Sequence, residues 1–238
     1  MQYKNTYRAV FRERPNRFIA RVEMDGELHT VHVKNTGRCR ELLVPGCTVI
    51  LSASDNPARK TKYDLIAVYK DCPGKVPLLV NMDSQAPNDA AAEWLAVSGM
   101  FSPDAQFRRE VTFGGSRFDF QIREGEKITF LEVKGVTLEQ DGIVRFPDAP
   151  TERGVRHLQE LADCVKKGYG AAVLFVIQMR GMRQFCPNDE THRAFGDALR
   201  QASAAGVRVI AMECDVTENS LQIAEPVEVN LALGGIVY

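Results

Sequence analysis

The sequence lacks any long apolar run. No segment approaches the roughly 20 consecutive apolar residues that a membrane-spanning helix needs. The first eight residues contain Lys4 and Arg8 rather than the apolar stretch of a signal peptide. With 45% hydrophobic and 26% charged residues in a chain of 238, the composition is that of an ordinary globular protein. We therefore predict a cytoplasmic protein without a membrane segment.

Cysteine motifs are missing as well. The six cysteines include no C-x-x-C pair, and the four histidines have no zinc-like spacing relative to them. Neither a disulfide framework nor a structural zinc site is therefore predicted. We expect reduced thiols buried in the core, as is usual in a reducing compartment.

The formal net charge is only −1, but the charged residues are unevenly distributed along the chain. Residues 1–80 contain 14 Lys and Arg against 8 Asp and Glu, whereas the remainder contains 16 against 23. A basic first part suits contact with a polyanion, and an acidic second part suits divalent cations. The alternative is a chance partition of surface charge.

The first part of the chain has the pattern of short β-strands. Segments 17–23 and 28–33 flank an Asp25-Gly26 pair, which is a strong hairpin signal. Further candidate strands are 7–11, 48–52, 63–69 and 76–81. Because turns separate these strands and no helical period appears, we predict an OB-like β-barrel over residues 1–81. A β-sandwich is the alternative.

Positive side chains alternate with Tyr and Phe in this predicted barrel, an arrangement that suits phosphate contact and base stacking. Arg17 and Arg38 are therefore candidate contacts to nucleic acid. Arg38 ends the turn Asn35-Thr36-Gly37-Arg38, where Asn and Gly favour unusual backbone angles and exposed amides could receive a phosphate. A solvated barrel surface with a purely structural turn is the alternative.

After a boundary at 82–87, helices alternate with strands. The predicted elements are a helix over 90–97 with Asn88 as its N-cap, strands 106–113, 117–122 and 128–134, a helix over 152–167 capped by Thr151, a buried parallel strand 171–177, a helix over 191–205 and a strand 207–212. This order predicts a mixed sheet with helices against it, within a second domain at 82–238. The segment from Asp215 onward is assigned to no element.

The hairpin formed by the second and third of these strands carries three charged side chains. Pairing around Gly125 places Asp119 opposite Glu132 or one step away, and Glu132 and Lys134 project from the same face. Carboxylates are hard ligands suited to Mg²⁺ or Mn²⁺, which could activate water for attack on phosphorus while Lys134 orients it. Glu110, on the preceding strand, is a further candidate ligand. The alternative is a structural cluster of lysine and carboxylates.

In this element order, Asp119 followed by Glu132-Val133-Lys134 resembles the PD-(D/E)xK nuclease superfamily, with Phe118 in place of the motif's proline. The chain further resembles the sugar fermentation stimulation protein A (SfsA) family, from about residue 12 to residue 212, through segments 35–38, 116–120, 131–134 and 146–154 with His157. The resemblance implies an α/β plus β architecture: an N-terminal OB-like β-barrel followed by a mixed-sheet PD-(D/E)xK nuclease-like domain. It also implies DNA binding without sequence preference and a regulatory link to maltose metabolism.

The segment 146–157 joins an extended loop to a helix. Two prolines favour the extended approach, Thr151 caps the helix, and Arg153 and His157 lie one turn apart on a face distinct from the apolar stripe. We expect Arg153 to contact a phosphate and His157 to assist proton transfer or phosphate binding. Alternatively, Asp148 and Arg153 pair to hold the loop, and His157 is a polar surface residue.

Three functions fit these observations. The first is a DNA-binding protein with a Mg²⁺-dependent phosphodiesterase site at Asp119, Glu132 and Lys134. The second is a non-catalytic DNA-binding regulator that retains the same fold. The third, a carbohydrate-processing enzyme with paired acids, fits the family name but neither the lysine nor the basic barrel.

Overall fold

The N-terminal sheet closes on itself. The structure is a computed structural model that describes residues 1–35 and 37–233. The strands of this sheet are β1 (Thr6–Asn16), β2 (Ile19–Met24), β3 (Glu27–Val33), β4 (Thr48–Ala53), β5 (Tyr63–Lys70) and β6 (Leu78–Asn81). Their order is β3-β2-β1-β4-β5-β6, and a parallel pairing of β3 with β5 closes the first five strands into a barrel. The predicted OB-like barrel is confirmed.

The Asp25-Gly26 hairpin forms as predicted. Both residues have positive φ, 54° and 80°, which suits the right-handed twist of the flanking strands β2 and β3. β1 is longer than the predicted strand 7–11 because register shifts after Phe11 and Glu13 let it continue to Asn16. The Asn16 side chain then accepts hydrogen bonds from the N–H groups of Phe18 and Ile19, so β2 begins only at Ile19.

The first helix begins earlier than the sequence predicted. It is α1 (Ala86–Val97), with Gln85 at the N-cap and Pro87 in its first turn, where a missing N–H costs nothing. The prediction of Asn88 as the N-cap is therefore wrong. Because Asn88 lies inside the helix, its side chain is available to a neighbouring strand.

The rest of the chain forms one large sheet, one small sheet and two helices. In chain order these elements are β7 (Gln106–Phe113), β8 (Ser116–Glu124), β9 (Lys127–Val136), β10 (Leu138–Gln140), β11 (Ile143–Phe146), α2 (Glu152–Lys166), β12 (Gly170–Ile177), β13 (Gln184–Pro187), α3 (Asp189–Ala204), β14 (Arg208–Thr217), β15 (Ser220–Pro226) and β16 (Glu228–Val229). The large sheet has the order β15-β14-β12-β9-β8-β7, with β12 parallel to both β9 and β14. The predicted mixed sheet and buried parallel strand are confirmed.

The small sheet, whose order is β10-β11-β13-β16, was not predicted from the sequence. Its strands have two to four residues each, too few to establish an alternating pattern. The unassigned segment after Asp215 completes β14 and returns as the antiparallel β15.

Helices cover both faces of the large sheet. On one face α1 packs through Leu95 in a cluster that contains Leu174. On the other, α2 and α3 pack through Leu158 and Phe195 in a cluster that contains Phe175. Successive residues of β12 thus enter opposite clusters, and each fully buried side chain contributes about 1.5–3 kcal/mol of hydrophobic stabilisation.

Buried hydrogen bonds join the barrel to the large sheet. The Asn81 N–H donates to the Gln178 carbonyl at 2.9 Å. The Gln178 side-chain amide donates to Asn81 Oδ1 at 2.8 Å and to the Asp83 carbonyl at 3.0 Å. Lys34 at the end of the barrel donates to Asp83 Oδ2 at 2.6 Å. These contacts place the turn after β3 beside the ends of β9 and β12.

No helix among the described residues has the length and apolar character needed to cross a membrane.

Candidate active site

The site is built on the hairpin of β8 and β9. The β8–β9 register ends at the pair Phe120–Leu131, and just beyond it the Asp119 carboxylate accepts a hydrogen bond from the Val133 N–H. Glu132 and Lys134 lie on the same face of β9, two residues apart. Lys134 Nζ is hydrogen-bonded to Glu132, and both of these charges act on the pKa of Asp119.

Glu132 is the buried centre of this group, with 3% of its surface exposed. Its Oε1 accepts hydrogen bonds from Lys134 Nζ and from His157 Nδ1, both at 2.5 Å. Its Oε2 is buried and has no hydrogen-bond partner among the described residues. Because an unpaired buried carboxylate oxygen is costly, this atom indicates a position for a ligand that carries positive charge or donates a hydrogen bond.

Asp119 is held in place from two elements. Its Oδ1 accepts from the Asn88 side chain and its Oδ2 from the Val133 N–H, each at 2.7 Å. The helix α1 therefore orients the Asp119 carboxylate through the side chain of Asn88. This role was not predicted from the sequence, because asparagine near a helix start ordinarily indicates a cap.

The two carboxyl groups have opposite pKa shifts. Burial raises the pKa of Asp119, and the negative charge of Glu132 raises it further. Burial also acts to raise the pKa of Glu132, but the hydrogen bond from His157 and the charge of Lys134 outweigh it, leaving that pKa below its ordinary value. Glu132 is thus the ionised member of the pair, and Asp119 retains its proton to a higher pH than an ordinary aspartate.

The helix α2 brings His157 to the hairpin. Thr151 is its N-cap, as predicted, and Thr151 Oγ1 accepts from the Gly154 N–H at 3.0 Å. His157 is buried and its ring lies edge-on to Phe118, with centroids 6.0 Å apart. His157 is therefore a buried partner of Glu132 and not a polar surface residue, while its role in proton transfer or phosphate binding stays a prediction.

Arg153 extends this hydrogen-bond chain to the surface. It is exposed, and its Nε donates to His157 Nε2 at 3.2 Å. The acceptor role of Nε2 places the imidazole proton on Nδ1, from which it is donated to Glu132. Among the described residues Arg153 contacts His157 rather than Asp148, so the alternative pairing that would hold the loop is not formed.

Glu110 does not join the cluster. Its side chain is 47% exposed and forms an ion pair with Arg117 at 2.5 Å. Its φ of 59° is unusual for a residue inside a strand, and it interrupts the β7–β8 ladder between Arg109 and Val111.

The donor atoms of the site suit a divalent cation that prefers oxygen. The described residues contain no group of three or more His, Cys, Asp or Glu side chains arranged around a common metal position. Two carboxylates are nevertheless close enough for the charge of Glu132 to raise the pKa of Asp119, and Glu132 Oε2 is without a partner. Two protein carboxylates with water as the remaining ligands are a sufficient set for Mg²⁺ or Mn²⁺.

The turn after β3 lies against the loop that precedes α2. Asn35 donates from its side chain to the Met82 carbonyl at 2.9 Å, and its Oδ1 accepts from the Gly37 N–H at 2.7 Å. The Gly37 N–H is therefore already hydrogen-bonded within the turn. It is not free to bind a phosphate, contrary to the expectation for this turn. A Cβ on Gly37 would overlap the Asp148 carboxylate, so glycine permits this close approach. Thr36 lies outside the described residues.

Besides Arg14, three arginines line a cavity of about 480 Å³ beside this turn, namely Arg17, Arg38 and Arg40. Each is exposed, and none forms an ion pair with a carboxylate among the described residues. Arg14 plays a different part: its Nη atoms donate to the carbonyls of Asn35, Gly37, Arg38 and Arg17. This structural role has no signal in the sequence, where Arg14 is one basic residue among several.

Comparison with known proteins gives consistent matches over the chain. Residues 13–79 match the model of the SfsA N-terminal OB domain, and residues 85–220 match that of the sugar fermentation stimulation protein RE domain. A sugar fermentation stimulation protein homolog from Desulfitobacterium hafniense (strain Y51) is 53% identical over 234 residues, which cover 98% of this chain and 100% of the relative. One from Ruminiclostridium cellulolyticum is 51% identical over 231 residues, which cover 97% and 100%.

A solved structure has the same fold. The structure of Pyrococcus furiosus SfsA in complex with Ca²⁺ superposes with a TM-score of 0.84 at 22% sequence identity, over 97% of this chain and 98% of that one.

Proposed function

The chain belongs to the SfsA family, and we propose that it is a cytoplasmic DNA-binding protein with a divalent-metal-dependent phosphodiesterase site of the PD-(D/E)xK nuclease type. The observation that carries the proposal is the unpartnered, buried Oε2 of Glu132 beside Asp119. The Ca²⁺ complex of the Pyrococcus furiosus relative supports an oxygen-rich cation site in this fold. Mg²⁺ and Mn²⁺ prefer the same oxygen ligands.

Each residue has a role that follows from its contacts. Asp119 and Glu132 would hold the cation, with Asn88 and His157 keeping the two carboxylates in place. Such a cation supplies Lewis-acid polarisation of a phosphoryl oxygen and lowers the pKa of water. Lys134 donates one N–H to Glu132, and its remaining N–H groups can stabilise the charge that develops on the phosphate.

The proposed DNA contact is carried by Arg17 and Arg38, which border the cavity of about 480 Å³ without a carboxylate partner. Arg153 supplies a further cation near the site, because it is exposed and hydrogen-bonded to His157. Phosphate contacts of this kind bind DNA without reading its sequence.

Cleavage is the first test. Supercoiled plasmid and single-stranded circular DNA are incubated with Mg²⁺, Mn²⁺ or chelator and the wild type or Glu132→Gln and Lys134→Ala variants. We expect nicking that requires metal and falls by about 100-fold or more in both variants, because Glu132→Gln removes a carboxylate that would hold the cation and Lys134→Ala removes a charge that would stabilise the phosphate. Glu126→Gln, in the exposed turn of the same hairpin, is the matched control and should cleave like the wild type.

Calorimetry with Ca²⁺ gives a readout that does not depend on turnover. The wild type should bind the ion and Glu132→Gln should not. Cleavage that persists in both variants would indicate a contaminating nuclease. Absence of cleavage, with Ca²⁺ and DNA binding intact, would contradict the nuclease assignment.

A second candidate is a non-catalytic DNA-binding regulator that retains the fold. It is favoured by one observation: Lys134 and His157 both bind the same oxygen of Glu132, so much of the cluster is satisfied without a ligand. The link of this family to sugar fermentation, and to maltose metabolism in particular, would then act through DNA binding alone.

DNA binding has its own test in the salt dependence of affinity. We expect the dissociation constant to rise steeply with salt for any sequence, because phosphate contacts release counterions. Arg38→Ala should reduce the slope of the log–log plot by about 1. Arg208→Ala removes an exposed arginine of β14 and serves as control. An affinity that is independent of salt would contradict phosphate-dominated binding.

A further inference from the structure

A second cavity lies on the barrel, next to the β2–β3 hairpin. It has a volume of about 420 Å³, and Phe18, His32, Arg59 and Asp64 are among its lining residues. Phe18 belongs to the β1–β2 connection and Arg59 to the β4–β5 connection. On OB-type barrels the face of strands 2 and 3, together with these two loops, forms the surface that binds oligonucleotides or oligosaccharides.

Phe18 provides an exposed ring at the edge of this cavity. Half of its surface is exposed, so the ring is accessible to a ligand in the cavity. The guanidinium of Arg17 lies 6.0 Å from the ring centroid, so a positive charge accompanies the aromatic face. An exposed ring with an adjacent arginine is the arrangement on which unpaired bases stack.

The single carboxylate deep in this cavity is neutralised. Asp64 accepts two hydrogen bonds from Arg59, at 2.8 and 2.5 Å, and one from His32 Nδ1 at 2.9 Å. Burial alone would raise the pKa of Asp64, but these bonds outweigh it and hold the group ionised. An ionised carboxylate only accepts, so Nδ1 of His32 carries a proton and Nε2 is available to a ligand. The cavity therefore presents no unbalanced negative charge from Asp64.

This cavity continues toward the candidate active site. It shares Ser84 with a cavity of about 290 Å³ that is also lined by Gly135 and Thr151. Gly135 directly follows Lys134 in β9. The middle cavity shares Gly37 and Ala149 with the arginine-lined cavity of about 480 Å³. The three cavities are thus neighbours that share lining residues, and we call the row that they form beside the barrel the interdomain cleft.

We propose that the interdomain cleft binds an unpaired strand of nucleic acid, with one base stacked on Phe18 beside His32 and the phosphates directed toward Arg17, Arg38 and Arg40. The proposal rests on the DNA-binding function proposed above and specifies its ligand. A duplex keeps its base faces stacked inside and cannot present one to Phe18, whereas an unpaired strand can. Three arginines that have no carboxylate partner within the described part of the chain favour a polyanion over a neutral oligosaccharide.

The test separates base stacking from phosphate contact. Affinities are measured by fluorescence anisotropy, in chelator to prevent cleavage, for three labelled ligands: oligothymidylate, an abasic strand of the same length and a duplex. We expect the wild type to bind oligothymidylate about tenfold more tightly than the abasic strand. Phe18→Ala should abolish this difference while leaving the affinity for the abasic strand unchanged. Phe107→Ala, which removes an exposed phenylalanine outside the cleft, should preserve it.

Three outcomes would overturn the proposal. Equal wild-type affinities for oligothymidylate and the abasic strand would exclude stacking, while leaving DNA binding itself intact. Displacement of the labelled strand by a neutral linear glucan oligosaccharide from the wild type, but not from Phe18→Ala, would assign the cavity to sugar. Absence of binding to all three nucleic-acid ligands would instead refute the proposed DNA-binding function as well. Thermal melting of both variants verifies that they fold.

Discussion

Asp119 lies on β8 and Glu132 on the neighbouring β9, yet their pKa values move in opposite directions. Glu132 receives the hydrogen bonds of His157 and Lys134, whereas Asp119 receives those of the neutral groups Asn88 and Val133 N–H. The charge of Glu132 therefore adds to the effect of burial at Asp119. A cation bound between them would remove this repulsion and lower the pKa of Asp119.

Ca²⁺ binding is consequently expected to depend on pH through Asp119. Its pKa is raised, so a proton competes with the cation to a higher pH than at an ordinary aspartate. Affinity should increase as pH rises through this raised pKa and then level off, with proton release on binding. Calorimetry in buffers of different ionisation enthalpy, between about pH 5 and pH 8, measures both quantities.

The control for this prediction is Asp119→Asn, which removes the titrating group and retains the shape of the side chain. This variant should bind Ca²⁺ more weakly than the wild type, and its binding should no longer release a proton. Proton release that is unchanged in this variant would assign the titration to another group and contradict the role of Asp119.

At the scale of single elements, the accuracy of sequence-based prediction follows the strength of the local signal. The bounds of β7 were predicted as found, since eight residues extend between clear turns. The start of α1 was misplaced because Pro87 can either precede a helix or occupy its first turn. β10 and β16 were missed since they are stabilised by their neighbours in the sheet rather than by a pattern of their own.

The capping prediction at α2 is open to a direct test. Thr151→Ala removes the hydrogen bond from the Gly154 N–H and should lower the free energy of unfolding by about 1 kcal/mol. Thr151→Ser retains the hydroxyl group and should lose much less. Urea denaturation monitored by circular dichroism measures both. Equal losses in the two variants would show that the methyl group, rather than the cap, stabilises the helix.

At the scale of the whole molecule, the barrel and the large sheet share a polar interface centred on Gln178. This side chain is buried, with 1% of its surface exposed, and it connects β12 to Asn81 and Asp83. The same region carries Lys34 at the entrance of the turn that precedes Arg38. The position of the barrel relative to the hairpin of Asp119 and Glu132 thus depends on these bonds.

Gln178→Ala should therefore weaken the coupling of the two parts. It leaves the Asp83 carbonyl without this donor in a buried place, at a cost of about 1–3 kcal/mol. We expect a lower melting temperature and a broader or divided transition in differential scanning calorimetry. Gln201→Ala, on the exposed side of α3, is the control and should melt like the wild type. A single, unshifted transition in Gln178→Ala would contradict this account.

The sequence by itself determined the local elements and the identity of the charged groups. The Asp25-Gly26 turn requires positive φ, which these two residues adopt easily. The apolar run of β12 requires burial on both faces of the sheet. The Thr151 side chain accepts a hydrogen bond from an N–H group in the first turn of α2. The spacing of Glu132 and Lys134 likewise placed them on one face of a strand, because side chains alternate along β9.

Only the tertiary structure decided how these groups meet. His157 reaches Glu132 because α2 packs on the large sheet, and Asn88 reaches Asp119 because α1 packs on the opposite face. The positive φ of Glu110 keeps its side chain out of the cluster of Asp119, Glu132 and Lys134. Local sequence specifies the periodicity of an element but not the distance between atoms on different elements, which the packing of the core establishes. That packing also buries Glu132 Oε2 without a hydrogen-bond partner among the described residues.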